Sequence, residues 1–182
     1  MEVIVMRHGE RDYEPCHERG FIVSSPYTRC LQTAAIVSRI RNIPLKVEVD
    51  LHEWIPDLLF QNKAGEAKAY GKEFALNEGK YPDGEPCRWE SIDMMEKRLL
   101  GVLDKYLIYD KILIVTHGML MHQIKPYGHI PNCFLDSFTY DEHFKCAGFE
   151  VGQTLTRMVG EIQLSGEPGS TKELLYSNAG KV

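Results

Sequence analysis

Three short apolar runs are the strongest pattern along the chain, and polar or glycine residues follow each of them at once. The runs are Val3-Ile4-Val5-Met6, Phe21-Ile22-Val23 and Ile112-Leu113-Ile114-Val115. Runs of this length, rich in β-branched residues and ended by turn-forming residues, are typical of buried strands. We therefore expect three buried strands, which would share one sheet.

Between and after these strands, the spacing of apolar residues predicts helices. Residues 28–42 have a helical pattern that Pro44 ends. Residues 90–109 form the best helix candidate, and its apolar stripe is Ile92, Met95, Leu99, Val102, Leu103 and Tyr106. A weaker candidate covers residues 64–77, and a short one covers residues 119–125 before Pro126.

Further strands are predicted at the sheet edges. Residues 45–49 alternate between apolar and polar positions, as expected for an edge strand. Residues 134–140 and 147–151 are two more edge-strand candidates. Residues 154–164 fit either a strand or a short helix, and residues 166–182 are polar and Gly-rich, which favours a loosely packed tail.

Cationic and imidazole side chains follow three of the predicted strands. Arg7 and His8 end the first run, Arg29 comes soon after the second, and His117 follows the third. Ligands of open α/β sheets bind at the carboxyl ends of strands. If the strands are parallel, two Arg and two His converge on one edge, a combination that suits a dianionic phosphate. Alone, the Arg7-His8 pair would more simply be a basic surface turn; its recurrence at three strand ends favours the site.

Three motifs, in order, resemble a known family. They are Arg7-His8-Gly9-Glu10, the stretch Ser24-Ser25-Pro26-Tyr27-Thr28-Arg29-Cys30-Leu31-Gln32-Thr33-Ala34, and Val115-Thr116-His117-Gly118. Together they look like the signatures of the histidine phosphatase superfamily, in its phosphoglycerate-mutase-like branch. The resemblance implies an α/β fold: three α/β/α layers with a mostly parallel central sheet. Gly84-Glu85 followed by Arg98 also resembles the family's pattern before its penultimate core helix.

The resemblance assigns roles to five of these residues. His8 is the expected nucleophile, which would form a phosphohistidine. Arg7 and Arg29 would bind the phosphate oxygens, and His117 would be a further donor to them. Gly118 would let the backbone approach closely.

A general acid must protonate the leaving oxygen. In the family an acidic residue after a middle strand does this, and Glu53, in Leu51-His52-Glu53-Trp54, matches that place. Burial beside Trp54 would raise its pKa, as an acid at neutral pH requires. Asp57 is the second candidate and Glu10 the third.

Between residues 11 and 20 the chain is shorter than the family pattern, which has a longer loop and a helix there. Either the segment is truly absent or the sequence omits a mobile part of the natural chain, and we favour the second interpretation. An intact mass equal to that of the 182-residue sequence would reject it.

Composition restricts the partners and the compartment. The 182 residues suit a single domain, residues 1–182, with an insertion at about residues 54–88. A formal net charge of −5 argues against nucleic acid as a partner. No signal peptide or membrane-length apolar stretch is seen, and five scattered Cys favour free thiols in the cytoplasm.

The predicted function is that of a phosphatase that needs no metal and no cofactor. It would hydrolyse a small phosphorylated substrate through His8, and a homodimer is compatible with the sequence. No His-Glu-x-x-His motif or Cys cluster predicts a metal site. Two alternatives stay open: a mutase, which returns the phosphoryl group to its bound product, and a non-catalytic domain that binds a phosphorylated ligand.

Overall fold

The computed structural model describes residues 1–7, 20–61, 66–82 and 84–147. The described elements, in chain order, are β1 (Glu2–Arg7), β2 (Phe21–Ser24), α1 (Thr28–Arg41), β3 (Leu45–Val47), a 3₁₀ turn (Val49–Leu51), α2 (Glu66–Leu76), α3 (Ile92–Lys105), β4 (Lys111–Thr116), α4 (Gly118–Met121) and β5 (Leu135–Thr139). Almost all of the short segment 11–20, and the elements predicted beyond residue 147, lie outside the described residues.

The five strands form one mostly parallel sheet in the order β3-β2-β4-β1-β5. β4 pairs in parallel with both β1 and β2, and β2 pairs in parallel with β3. β5 is antiparallel to β1 at the other edge. The three apolar runs are therefore the central strands, and the predicted fold class is confirmed.

Helices cover both faces of this sheet, because alternate strand residues point to opposite sides. Val3 and Val5 share one buried cluster with Leu99 and Val102 of α3. Their neighbours on the other face, including Met6 and Val115, pack with α1. Apolar residues on both faces of the central strands produce the three-layer arrangement.

The ends of the two long helices have local causes. α3 starts after Ser91, whose hydroxyl accepts a hydrogen bond from the Met94 N–H at 3.3 Å. α1 ends at Asn42, which has a left-handed backbone with φ 53° and donates its N–H to Ser38 O. The prediction of α1 is confirmed to within one residue, whereas α3 is shorter than residues 90–109 because the chain forms turns after Lys105.

The shorter elements are confirmed in type and differ at their ends. β3 ends at Val47 rather than residue 49, because the chain enters a 3₁₀ turn there. α4 covers only the stretch Gly118–Met121, and turns replace the rest of the predicted helix. β5 is the predicted edge strand.

None of the helices in the described ranges has both the length and the apolar character that crossing a bilayer requires.

Candidate active site

The carboxyl ends of three parallel strands lie side by side. Arg7, the last residue of β1, is in register with Thr116, the last residue of β4. Ser24, the last residue of β2, is in register with Val115, and the Ser25 N–H donates to Val115 O at 3.0 Å. Side chains that follow these strands therefore share one edge, as the sequence predicts.

His117 lies at the centre of this edge and is fully buried. Its Nε2 is 2.7 Å from Ser25 Oγ, and its Nδ1 is 2.9 Å from a terminal nitrogen of Arg29. A guanidinium can only donate, so Nδ1 is the acceptor and Nε2 carries the proton that is donated to Ser25. The prediction that Arg29 and His117 converge is thus met by direct contact.

Glu53 approaches the same imidazole from the segment that follows the 3₁₀ turn. Its Oε2 is 3.9 Å from His117 Nδ1, and its side chain is 27% exposed. The Trp54 N–H donates to Glu53 Oε1 at 3.1 Å. Burial raises the pKa of this carboxyl, and the Trp54 hydrogen bond and the nearby Arg29 charge oppose that shift in part. The result is the shift that we expected of an acid beside Trp54.

Arg7 adds a second guanidinium to the cluster. Its Nη1 donates to Ile130 O, which fixes the side chain across the end of β1. Burial lowers its pKa, the charge of Glu53 raises it, and the charge of Arg29 lowers it. Two cations and one carboxylate are therefore close enough to act on each other, and the cluster has an excess of positive charge.

The remaining predicted residues divide into two groups. Gly118 is buried at the start of α4, directly after His117. His8 and Glu10 lie outside the described residues. His8 is nevertheless the residue that follows Arg7 in the chain, one peptide unit beyond the strand end.

Asp57, the second candidate for the acid, is buried and bonded to the backbone of its own turn. It is 7% exposed. One carboxylate oxygen accepts from the Leu59 N–H at 2.9 Å, and the other accepts from the Gln61 N–H at 2.5 Å. Both donors belong to the turn that Asp57 begins, which includes Phe60 with φ 53°. The carboxylate closes its own turn, as Asp commonly does.

Three neighbours of His117 were not assigned to the site from the sequence. Besides Ser25, Cys30 Sγ lies 3.4 Å from Nε2, and the Tyr27 ring packs edge-on against the imidazole at 5.1 Å between centroids. Burial raises the pKa of the Cys30 thiol to about 12, so it is protonated at neutral pH. All three belong to the Ser-Pro motif that directs Arg29, and that proximity was the available signal.

Two ion pairs lie around the pattern of Gly84-Glu85 followed by Arg98. Glu85 lies 3.5 Å from Arg88. Arg98 pairs with Glu90, at 2.6 Å between Nε and Oε1. Glu90 directly precedes Ser91, which caps the helix that carries Arg98.

Within the described ranges, no group of three or more His, Cys, Asp or Glu side chains is placed to hold a metal ion.

Comparison with known protein families assigns the chain. The model of the histidine phosphatase superfamily, branch 1, matches residues 17–141. The chain belongs to this superfamily. The match includes Arg29, Glu53 and His117 and begins after Arg7 and His8.

Solved structures of several other proteins have the same fold. A mycobacterial glucosyl-3-phosphoglycerate phosphatase is 16% identical with a TM-score of 0.55, over 81% of this chain and 98% of that one. The alpha-ribazole phosphatase from Shigella flexneri is also 16% identical with a TM-score of 0.55, over 81% and 94% of the two chains. Bacillus stearothermophilus YhfR is 18% identical with a TM-score of 0.56, over 82% and 96%. A comparison with curated protein sequences gave no significant match.

Proposed function

We propose that this protein is a phosphatase that hydrolyses a small phosphomonoester through a phosphohistidine at His8. The observation that carries the proposal is the cluster of Arg7, Arg29, Glu53 and His117 at the carboxyl ends of β1, β2 and β4. Membership of the histidine phosphatase superfamily supports it. Two proteins that share the fold are named as phosphatases, which agrees with this reaction class.

The charges of the cluster favour a phosphate dianion. Burial is the main cause of the lowered pKa of Arg7, the charge of Arg29 adds to it, and the single carboxylate of Glu53 opposes it, so the two guanidinium groups face only one carboxylate. A bound phosphate would be held between the two guanidinium groups, each of which can donate two parallel hydrogen bonds. We expect Arg29 to exchange its contact with His117 for one with phosphate. His117 Nδ1 would then be available for a proton and a hydrogen bond to the same oxygens.

His8 supplies the nucleophile in this proposal. An imidazole nitrogen of His8 attacks phosphorus, and the bond between phosphorus and the ester oxygen breaks. The covalent link to Arg7 supports the assignment, since Arg7 is in register with the residue before His117. Negative charge on the phosphoryl oxygens is stabilised by the two Arg and by His117.

Glu53 supplies and recovers the proton. Burial raises the pKa of its carboxyl, which favours the protonated form that can protonate the departing ester oxygen. The resulting carboxylate then accepts a proton from water, whose oxygen attacks the phosphohistidine. This second step releases inorganic phosphate and returns both His8 and Glu53 to their starting forms.

The test is release of phosphate from 4-nitrophenyl phosphate in the presence of EDTA. The wild type should be active and His8→Ala should lose all measurable turnover. His143→Ala is the matched control, because that side chain is 86% exposed and lies after β5. Unchanged activity in His8→Ala would reject the nucleophile. An inactive wild type that binds phosphate would favour the non-catalytic domain, and transfer within the substrate without phosphate release would favour the mutase.

A further inference from the structure

A second buried ion pair lies behind the segment that carries Glu53. Arg98 of α3 and Glu90 form two parallel contacts, at 2.6 Å between Nε and Oε1 and 3.1 Å between Nη2 and Oε2. Their side chains are only 10% and 4% exposed. Two parallel contacts of this kind fix the orientation of both partners.

Both members of the pair also bind the backbone on either side of Glu53. Arg98 Nη1 donates to Asp50 O, three residues before Glu53. On the other side, the Ile55 N–H donates to Glu90 Oε2 at 3.1 Å, and the Glu90 N–H donates to Ile55 O at 2.9 Å. Trp54 Nε1 adds a bond to Glu90 O at 2.7 Å. The ion pair therefore holds the chain both before and after the carboxyl of Glu53.

This arrangement is poorly explained as a source of stability alone. Taking two charges out of water costs free energy that the pair regains only in part, so a buried ion pair is often no more stabilising than apolar packing. What such a pair adds is a fixed geometry for the groups bound to it. Here those groups are the peptide units next to the residue that must deliver a proton, where a displacement of about 1 Å can cost up to about 10²-fold in rate.

We propose that Arg98 and Glu90 are positioning residues that hold the segment 50–55 so that the Glu53 carboxyl faces the strand-end cluster. The inference rests on the proposed function, because it assigns Glu53 the role of proton donor. It predicts a defect in proton delivery, not in binding of the phosphate group by Arg7 and Arg29.

The experiment compares two substrates that differ in their need for an acid. An alkyl phosphate has a poor leaving group and needs the proton, whereas 4-nitrophenyl phosphate has a good leaving group and needs it little. Arg98→Lys and Glu90→Gln should lower kcat/KM for the alkyl phosphate by about 10- to 10²-fold. For 4-nitrophenyl phosphate the loss should stay below about 3-fold, since the phosphate contacts are intact.

Two further variants separate positioning from simple destabilisation. Trp54→Phe removes the indole bond to Glu90 O, keeps an aromatic ring against Phe74 and leaves the ion pair, so it covers the case in which the charged variants do not fold. Tyr140→Phe is the matched control, because it removes a 2.6 Å bond to Asp104 on the same helix α3 and leaves the bonds from Arg98 and Glu90 to segment 50–55 in place. Trp54→Phe should show the selective loss in a weaker form, and Tyr140→Phe should affect both substrates equally.

A double-mutant cycle distinguishes failure of this inference from failure of the proposed function. If Glu53→Gln lowers turnover of both substrates equally, the acid assignment itself is wrong. If Glu53→Gln is selective, then adding Arg98→Lys to it should cost almost nothing more on the alkyl phosphate, because both changes remove the same proton delivery. Additive losses in that cycle, or equal losses on both substrates in Arg98→Lys, Glu90→Gln and Trp54→Phe, would overturn the positioning role.

Discussion

The strand-end cluster around Glu53 and the turn that Asp57 begins give two nearby carboxyl groups different surroundings. Asp57 accepts hydrogen bonds from backbone N–H groups of its own turn, at Leu59 and Gln61. Glu53 faces His117 and the two guanidinium groups, which come from three other elements. Both oxygens of Asp57 are thus bonded within its own turn, whereas Glu53 has one local bond from the Trp54 N–H and is also close to groups that the fold brings together.

The strand-end cluster also differs in net charge from the Glu90–Arg98 ion pair behind it. Around Glu53 the cations outnumber the carboxylates, which suits a site that receives an anion. The Glu90–Arg98 pair contains one charge of each sign, and the two charges balance each other. A neutral ion pair therefore lies next to a cluster with an excess of positive charge, and in our proposal the pair fixes the position of Glu53 in that cluster.

Apart from loss of His8, replacement of Arg29 should lower activity most. Arg29→Ala should lower kcat/KM for any phosphomonoester by about 10²- to 10³-fold, because it removes a charged donor to the phosphoryl oxygens. Arg39→Ala is the control, since Arg39 is exposed in the last turn of the same helix. Steady-state kinetics check both variants. Equal, small losses would place the phosphate elsewhere.

Glu53→Gln should have the next largest effect, and it should be selective. Loss of the proton donor should lower turnover of an alkyl phosphate by about 10²-fold or more and spare 4-nitrophenyl phosphate in comparison. In the wild type, turnover of the alkyl phosphate should fall as pH rises through the pKa of Glu53, and this fall should be absent in Glu53→Gln. Parallel losses on both substrates would show that Glu53 is not the acid.

Asp57→Asn should lower stability and leave the preference between the two substrates unchanged, in contrast to Glu53→Gln. The amide replacement removes one charged acceptor from a buried turn, so the free energy of unfolding should fall by about 1–3 kcal/mol. The ratio of kcat/KM values for the two substrates should stay at the wild-type value. Denaturant unfolding and the same two assays measure both quantities; a selective loss on the alkyl phosphate would make Asp57 the acid instead.

The smallest effect concerns stability and pH. Because burial raises the pKa of Glu53, the folded protein binds this proton more tightly than the unfolded chain does. Its contribution to stability is complete below the unfolded-state pKa and is lost as pH rises through the folded-state pKa. The Tm of Glu53→Gln relative to wild type should therefore increase as pH rises from the unfolded-state pKa of a glutamate through the folded-state pKa of Glu53. A difference that is constant or falls with pH would contradict the shift.

Sequence patterns predicted the parts of this molecule that depend on local rules. Strands β1, β2 and β4 follow from short apolar runs, and α3 follows from its apolar stripe. The convergence of Arg29 and His117 follows from their places after parallel strands.

What the sequence did not show depends on long-range side-chain contacts. Ser25 and His117 are 92 residues apart, and periodicity carries no information about such a pair. Arg98 binds the backbone at Asp50, 48 residues away, and that contact depends on how α3 packs against the segment after β3. For the same reason, nothing in the sequence indicated that Arg98 pairs with Glu90.

The proposed reaction requires His8 to become phosphorylated at the strand-end cluster, and trapping that species tests it without any assumption about the substrate. The protein would be mixed with a phosphomonoester in EDTA, quenched within the first turnover under alkaline conditions that preserve phosphohistidine, and mapped by peptide mass spectrometry. We expect one phosphoryl group on His8 in the wild type and none in His8→Ala. With an activated aryl phosphate, Glu53→Gln should hold a larger amount, because loss of the carboxylate base slows hydrolysis of the phosphohistidine. Turnover without any phosphoryl group on His8, or a phosphoryl group on another residue, would contradict it.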